Sequence, residues 1–162
     1  MRYPIFHVIN IDTGALSVMP APYAPWLRPH IGELRGLGVT KVLSLLEETE
    51  EAELHLQAER QVCAAHHIGF ERVPIRDRGV PEPPVLARLV ARLLDEVRAG
   101  EHLAVHCRGG IGRTGLVASC LLVASGMEPE PAMRLVSLKR TIPVPETPTQ
   151  RAFVHAYGGS RP

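Results

Sequence analysis

The sequence predicts one α/β domain over residues 1–162, with a mostly parallel central sheet, helices on both faces and a short N-terminal hairpin. Short apolar segments of strand length alternate with longer segments that have helical periodicity. Strands separated by helices join through right-handed crossovers, which pair the strands in parallel and cover both faces of the sheet. With 162 residues, of which 45% are hydrophobic, the chain is long enough to bury an ordinary core.

Five strands are predicted from short apolar segments bounded by turn residues. The first two flank the turn sequence Asp-Thr-Gly at 12–14, which predicts the hairpin. The predicted strands cover residues 5–11, 15–18, 39–46, 70–75 and 102–106.

Six helices are predicted from apolar spacing and from residues that begin or end helices. Four prolines between positions 20 and 29 predict an irregular segment before the first helix. Acidic residues in the first turn of the second helix, and glycines directly after the third and fourth, match the preferences of helix ends. The predicted helices cover residues 32–37, 50–67, 83–99, 114–125, 131–139 and 148–157.

Composition and charge favour a cytoplasmic monomer that inserts into no membrane and binds no nucleic acid. The net charge of +1 gives no global attraction to polyanions. No apolar segment has membrane-spanning length, and the first residues show no targeting segment. Three cysteines cannot form a fully paired disulfide framework, which fits a reducing compartment.

The segment Val-His-Cys-Arg-Gly-Gly-Ile-Gly-Arg-Thr-Gly at 105–115 fits two different motifs. Gly110, Gly112 and Gly115 have the Gly-x-Gly-x-x-Gly spacing of a dinucleotide-binding turn. Cys107 and Arg113 have the spacing Cys-x5-Arg, which puts a thiol and a guanidinium at the two ends of one short loop. The first motif indicates an oxidoreductase and the second a phosphatase.

The residues after this loop decide against the dinucleotide motif. Such a motif is normally followed by a second strand and an acidic residue about 20 residues further on. Here a helix is followed by Glu-Pro-Glu-Pro-Ala-Met-Arg at 128–134, with no hydrophobic strand and no acidic residue at the end of one. The sequence therefore favours the Cys-x5-Arg interpretation.

The Cys-x5-Arg loop has the chemistry of a cradle for a phosphate group. A loop that closes into a helix N-terminus points backbone N–H groups at one centre, and its glycines allow the unusual dihedral angles. A cysteine at that centre is expected to ionise at neutral pH. Arg113 offers a planar fork for two phosphoryl oxygens, and Thr114 brings a hydroxyl beside the sulfur.

Three segments resemble the cysteine-based protein tyrosine and dual-specificity phosphatases. The loop resembles their signature His-Cys-x5-Arg-[Ser/Thr]-Gly. The segment 73–81 resembles their general-acid loop, with Asp77 at a typical distance before Cys107. The segment from 147 resembles a C-terminal part in which a glutamine, here Gln150, positions the hydrolytic water in some members. The strand and acidic loop at 42–50 also resemble the small kinase-associated-phosphatase branch.

The resemblance implies a dual-specificity-phosphatase-like fold and hydrolysis of phosphomonoesters through a phosphocysteine intermediate. Cys107 would be the nucleophile, Arg113 the phosphate clamp and Asp77 the general acid, with Thr114 stabilising the thiolate. His106 would order the loop through hydrogen bonds. The residues expected to bind substrate are Arg108, Gly109, Gly110, Ile111, Gly112 and Gln150.

The implied substrate is protein phosphotyrosine, with phosphoserine and phosphothreonine as further candidates. A small acidic phosphate ester, such as an inositol phosphate or phosphoinositide, is the alternative within catalysis. Outside catalysis, the alternative is a phosphate-binding module without turnover. The presence of Cys107, Asp77 and Arg113 together argues against that last alternative.

The chain departs from the family pattern in three places. The acid loop lacks Trp-Pro-Asp, so the large mobile loop of the classical tyrosine phosphatases is not implied. The cysteine loop lacks the paired lysines of the phosphoinositide branch. Lys-Arg-Thr-Ile-Pro at 139–143 stands where many relatives carry an Arg-Pro turn, which leaves the role of Gln150 open.

No metal or cofactor is expected. Cys63 with His66 or His67 has ligand-like spacing, but no second pair completes a tetrahedral site. Cys63 and Cys120 are most simply core residues, and a disulfide with Cys107 is the alternative for either one.

Overall fold

The computed structural model describes residues 3–160, and it has an α/β architecture with a five-stranded sheet. The expected domain limits, residues 1–2 and 161–162, lie outside the described residues. The strands are β1 (Phe6–Ile11), β2 (Gly14–Met19), β3 (Lys41–Ser44), β4 (Gly69–Arg72) and β5 (His102–His106). The helices are α1 (Leu27–Gly36), α2 (Glu48–Glu53), α3 (Glu59–Ala65), α4 (Pro83–Arg98), α5 (Gly112–Ala124), α6 (Pro129–Arg140) and α7 (Pro148–Ser160).

The sheet has the strand order β1-β2-β5-β3-β4 and is parallel except for the opening hairpin. β5 lies in the middle, with β2 on one side and β3 on the other. Its last residue, His106, pairs with Met19 at the end of β2 and with Ser44 at the end of β3. Three carboxyl ends therefore meet at one edge of the sheet, the place where open α/β sheets hold their ligands.

Helices cover both faces of the sheet, as the sequence predicts. One core packs α4, α5, α6 and α7 against one face, with side chains such as Leu16, Leu103 and Val105 from the strands. The other core packs α1 and α3 against the opposite face, with Met19 and Val42. The residues of α5 from 112 to 123 are all buried, so that helix lies between its neighbours rather than at the surface.

The single helix predicted over 50–67 is wrong, because two helices occupy this part of the chain. α2 ends at Glu53 and α3 begins at Glu59, and His55 between them has a φ of +56°. The apolar spacing continues across the break, but the buried Leu56 anchors the connection to the core. The break also directs Glu50 and Glu59 toward the edge where β5 ends, and tertiary contacts there override the local pattern.

The other differences are at the ends of elements. The first helix begins at Leu27 rather than at residue 32, because Pro29 lies in its first turn, where a missing N–H costs nothing. The strands β3 and β4 are shorter than predicted.

Gly14 offers a test of how closely β2 approaches α4. A Cβ at this position would lie 2.0 Å from the carbonyl oxygen of Val97, so Gly14→Ala forces the strand and helix apart. We expect this change to cost about 2 kcal/mol of stability and to lower the Tm by roughly 4–8 °C. Thermal melting followed by circular dichroism measures the change.

The matched control is Gly36→Ala at the end of α1, where nothing lies within 4 Å of the added Cβ. Alanine favours a helix over glycine by about 0.5–1 kcal/mol, so this variant should melt at or above the wild-type temperature. A Gly14→Ala protein as stable as wild type would contradict the close approach.

Candidate active site

The loop of residues 107–111 joins β5 to α5 at the edge where three strands end. Gly110 has a φ of +71°, and a Cβ there would lie 2.5 Å from the backbone of Met19, so a side chain does not fit. Arg140 donates from Nη2 to the carbonyl of Gly109 at 2.9 Å and from Nε to that of Gly110 at 3.0 Å. These bonds hold the carbonyls on the outside of the loop.

The sulfur of Cys107 lies inside the loop and is almost fully buried. Burial by itself would raise the pKa of this thiol. The Thr114 hydroxyl and amide, the Arg113 charge and the Ile111 amide outweigh it, so the pKa lies below its ordinary value. The Thr114 hydroxyl has no other partner among the described residues, which leaves the sulfur as the acceptor it faces. These contacts favour a thiolate.

Arg113 is buried and most of its hydrogen-bonding capacity is in use. Its Nη1 donates to Glu50 at 2.7 Å and to the carbonyl of Ile75 at 2.9 Å. Its Nη2 donates to the second oxygen of Glu50 at 2.9 Å and to Asp77 at 3.2 Å. An arginine has five N–H donors, so the Nε–H and the Nη2–H now directed at Asp77 are the pair that can serve an incoming phosphate.

Glu50 is a site residue that the sequence motifs do not identify. Its two oxygens hold the guanidinium of Arg113 in a bidentate pair, and Arg108 approaches it at 3.6 Å. Burial opposes ionisation of Glu50, but the hydrogen bonds from Arg113 and from the Glu47 amide together with both cations lower its pKa. Glu50 therefore fixes the direction in which Arg113 points.

The structure brings Asp77 to the same cavity as Cys107 and Arg113. Its side chain is 59% exposed, and its Oδ1 accepts a hydrogen bond from Nη2 of Arg113. The neighbouring Arg78 turns to Glu146 at 3.1 Å instead. Asp77 thus faces the opening of the cavity with one oxygen on the guanidinium.

The cavity in front of the sulfur has a volume of about 220 Å³. Its mouth carries two arginines that are each paired with a carboxylate: Arg78 with Glu146 at 3.1 Å and Arg108 with Glu53 at 2.7 Å. The cavity walls are formed by Asp77, Arg78, Cys107, Arg108, Gly109, Ile111, Gly112, Arg113, Glu146 and Gln150.

Gln150 lies in the cavity wall and is fully buried. Its Oε1 accepts hydrogen bonds from the amides of Glu146 and Thr147, both at 3.1 Å. Its Nε2 donates to the carbonyl of Gly79 at 3.2 Å. Gln150 therefore ties the Asp77 loop to the segment before α7, and it adjoins Gly112, where a Cβ would come within 2.9 Å of its Oε1.

His106 lies behind the loop and is completely buried. Its Nδ1 is 3.0 Å from the carbonyl oxygen of Cys107, and its Nε2 is 2.7 Å from Oε1 of Glu59. This contact joins the end of β5 to the backbone of the loop. Glu59, which begins α3, is a second residue near the site that the motifs do not identify.

Cys63 and Cys120 are free and buried in the core. Burial and the nearby Glu59 raise the pKa of Cys63 to about 12, and burial raises that of Cys120 further still. Both side chains therefore stay as neutral thiols near neutral pH. Within residues 3–160 no group of three histidine, cysteine or acidic side chains has the arrangement of a metal site. In the same range no helix is both long and apolar enough to cross a membrane.

A family model described as "Swiss Army Knife protein, DSP-PTPase phosphatase domain" matches residues 9–157 of this sequence. The chain belongs to this phosphatase family. It is 31% identical over 158 residues to the 067L protein of Invertebrate iridescent virus 3, which is named for an inferred tyrosine phosphatase activity. The match covers 85% of this chain but 60% of the viral protein, so this phosphatase domain spans about three fifths of that relative.

Solved phosphatase structures share the fold at low sequence identity. Kinase-associated phosphatase, in a form with its catalytic-site cysteine replaced by serine, superposes with a TM-score of 0.87 at 19% identity, covering 97% of this chain and 94% of that one. The phosphatase PTPMT1, in complex with PI(5)P, superposes with a TM-score of 0.77 at 17% identity, covering 96% and 94%. The fold is that of the dual-specificity phosphatases, close to the kinase-associated-phosphatase branch.

Proposed function

We propose that this protein hydrolyses phosphate monoesters through a phosphocysteine intermediate, with protein phosphotyrosine as its main substrate and phosphoserine and phosphothreonine as further ones. The observation that carries the proposal is the contact set around Cys107. A thiol with a lowered pKa, a buried guanidinium and an exposed carboxyl group all face one small cavity. This combination suits a nucleophile, an oxyanion clamp and a proton donor.

In the first step, the Cys107 thiolate attacks phosphorus in line and forms the S–P bond as the P–O bond to the leaving group breaks. The loop amides and Arg113 stabilise the equatorial oxygens of the transition state. The phosphate takes the Nη2–H of Arg113 that Asp77 now occupies, and this exchange frees the carboxyl group. Released from Arg113, Asp77 takes up a proton from solvent and gives it to the leaving oxygen, and the second step returns a proton to it.

In the second step, Asp77 is the base that removes a proton from water, and the water oxygen attacks the phosphocysteine. The S–P bond breaks, inorganic phosphate leaves and the thiolate returns. The Thr114 hydroxyl and amide donate hydrogen bonds to the sulfur and stabilise the negative charge that develops on it. Gln150 acts here by holding the Asp77 loop in place, because its amide group already binds Gly79, Glu146 and Thr147.

The charges at the mouth of the cavity favour a phosphorylated protein as substrate. Arg78 and Arg108 are each paired with a carboxylate, so the rim offers little uncompensated positive charge for additional phosphates. A phosphoinositide with several phosphates would have to displace Glu146 or Glu53. The likeness in fold to PTPMT1, which has been solved with PI(5)P, keeps a singly phosphorylated inositol lipid as the second candidate.

The substrate class can be tested by turnover on a panel of phosphotyrosine, phosphoserine and phosphothreonine peptides and on water-soluble phosphoinositides. We expect the highest kcat/KM on phosphotyrosine peptides, because the paired rim arginines give no advantage to a polyanion. Cys107→Ser is the control, since a hydroxyl is not ionised at neutral pH and should lose all turnover. A higher kcat/KM on a phosphoinositide would overturn the substrate assignment, and turnover by Cys107→Ser would overturn the mechanism.

The role of Asp77 can be tested by changing the leaving group. Asp77→Asn should slow hydrolysis of phosphotyrosine by roughly 100-fold or more, the usual scale of general acid catalysis. On a fluorinated aryl phosphate the loss should be much smaller, because an acidic phenol leaves without a proton. Steady-state kcat/KM on both substrates measures the difference.

Asp95→Asn on α4 is the matched control, because it makes the same chemical change on an exposed side chain outside the cavity. It should leave both rates near wild type. Equal losses of Asp77→Asn on the two substrates would show that the proton comes from another group.

A further inference from the structure

His106 and Glu59 form a pair of ionisable side chains buried directly behind the catalytic loop. Both are fully buried, and Nε2 of His106 is 2.7 Å from Oε1 of Glu59. On its other side, Nδ1 of His106 is 3.0 Å from the carbonyl oxygen of Cys107. The second oxygen of Glu59 has no hydrogen-bond partner among residues 3–160. The mechanism above gives no role to Glu59.

The hydrogen-bond partners fix how many protons His106 carries. A carbonyl oxygen only accepts hydrogen bonds, so Nδ1 must bear a proton. An ionised carboxylate also only accepts, so Nε2 must bear a proton whenever Glu59 is charged. With both nitrogens protonated, the imidazole ring is a cation whose positive charge lies next to the backbone of Cys107.

We propose that Glu59 is a positioning residue that holds His106 as an imidazolium cation behind the loop, and thereby keeps the Cys107 nucleophile ionised. The inference rests on the proposed role of Cys107 and adds a second source of positive charge to that of Arg113. The two cations approach the cysteine from different sides, one from the start of α5 and one from the end of β5.

The cost of burying Glu59 supports an electrostatic role over a packing role. A buried carboxylate with one unpartnered oxygen is expensive, and a neutral side chain of the same shape would fill this space at lower cost. Burial by itself would lower the pKa of His106, but the charge and hydrogen bond of Glu59 outweigh it and raise that pKa. The thiolate and the Cys107 carbonyl act in the same direction.

Two other ionisable side chains close to Glu59 carry no charge near neutral pH. Tyr3 and Cys63 both face Glu59, and burial together with the Glu59 charge raises the pKa of each. Both therefore stay neutral. The charged groups on the cavity side of the thiol include three arginines and two carboxylates: Arg108, Arg113, Arg140, Glu50 and Asp77.

Glu59→Gln tests the proposal, because glutamine keeps the shape of the side chain and removes its charge. Without the carboxylate the buried imidazole becomes neutral, and the pKa of Cys107 rises. The rate of Cys107 alkylation by iodoacetamide rises with pH as the thiol ionises, and we expect the midpoint of this acidic limb to move up by about one pH unit. At a pH below the midpoint, alkylation should then be roughly tenfold slower than in the wild type. The acidic limb of kcat/KM should move in the same direction.

Alkylation is followed peptide by peptide with mass spectrometry, and Cys63 and Cys120 should not react because both remain buried thiols. Glu48→Gln is the matched control, since it removes the same charge from an exposed position on α2 and should leave the limb in place. His106→Asn should shift the limb as Glu59→Gln does. The double variant should shift it no further, because the two residues act as one unit.

A second measurement reads the charge of His106 in the wild-type protein and does not depend on any Glu59 variant folding. The ¹⁵N shifts of its ring, assigned with His106→Asn, should show both nitrogens protonated at pH 8. A neutral ring at pH 8 would overturn the proposal, and so would a folded Glu59→Gln protein with an unmoved limb. Neither readout needs turnover, so a shifted alkylation limb without phosphatase activity would reject the proposed function and leave the role of Glu59 standing.

Discussion

The site depends on a loop whose backbone carbonyls must point outward so that its amides can point inward. The carbonyls of all four residues from 107 to 110 accept a hydrogen bond. The neighbouring His106 donates to Cys107, and the other donors come from distant parts of the chain: the Ala21 amide for Arg108, and Arg140 for both glycines. None of these donors is an amide of the loop itself. The amides of residues such as Ile111 and Thr114 can therefore stabilise a thiolate or a phosphate.

The two buried cations at this loop each require a carboxylate, and both carboxylates come from the broken helical segment after β3. Glu50 on α2 binds Arg113, and Glu59 on α3 binds His106. In one continuous helix, Glu50 and Glu59 would be separated by roughly 13 Å along a straight helix axis. The turn at His55 instead brings both to the carboxyl edge of the sheet. The irregular geometry of this segment therefore places both carboxylates beside the cations of the site.

The sequence predicts the parts of the site that are close together along the chain, and not those that pair across it. Cys107 and Arg113 lie six residues apart, on the loop and in the first turn of α5, and the alternation of strands and helices predicts the sheet that presents them. Glu50 is 63 residues from Arg113 and Glu59 is 47 from His106, and neither belongs to a local motif. The apolar spacing of residues 50–67 predicts one helix, because periodicity indicates which residues are buried and not which buried charges form pairs. That Gln150 fastens the Asp77 loop is likewise visible only in three dimensions.

The central claim is that phosphate passes through a covalent bond to Cys107. It can be tested by mixing the Asp77→Asn protein with a fluorinated aryl phosphate, quenching with denaturant within the first turnover, and analysing the digested protein by mass spectrometry. Because this variant forms the intermediate but lacks the base for its hydrolysis, one phosphoryl group should be found on the peptide that contains Cys107. Release of the phenol with no phosphoryl group on Cys107, or with the group on another residue, would contradict the account.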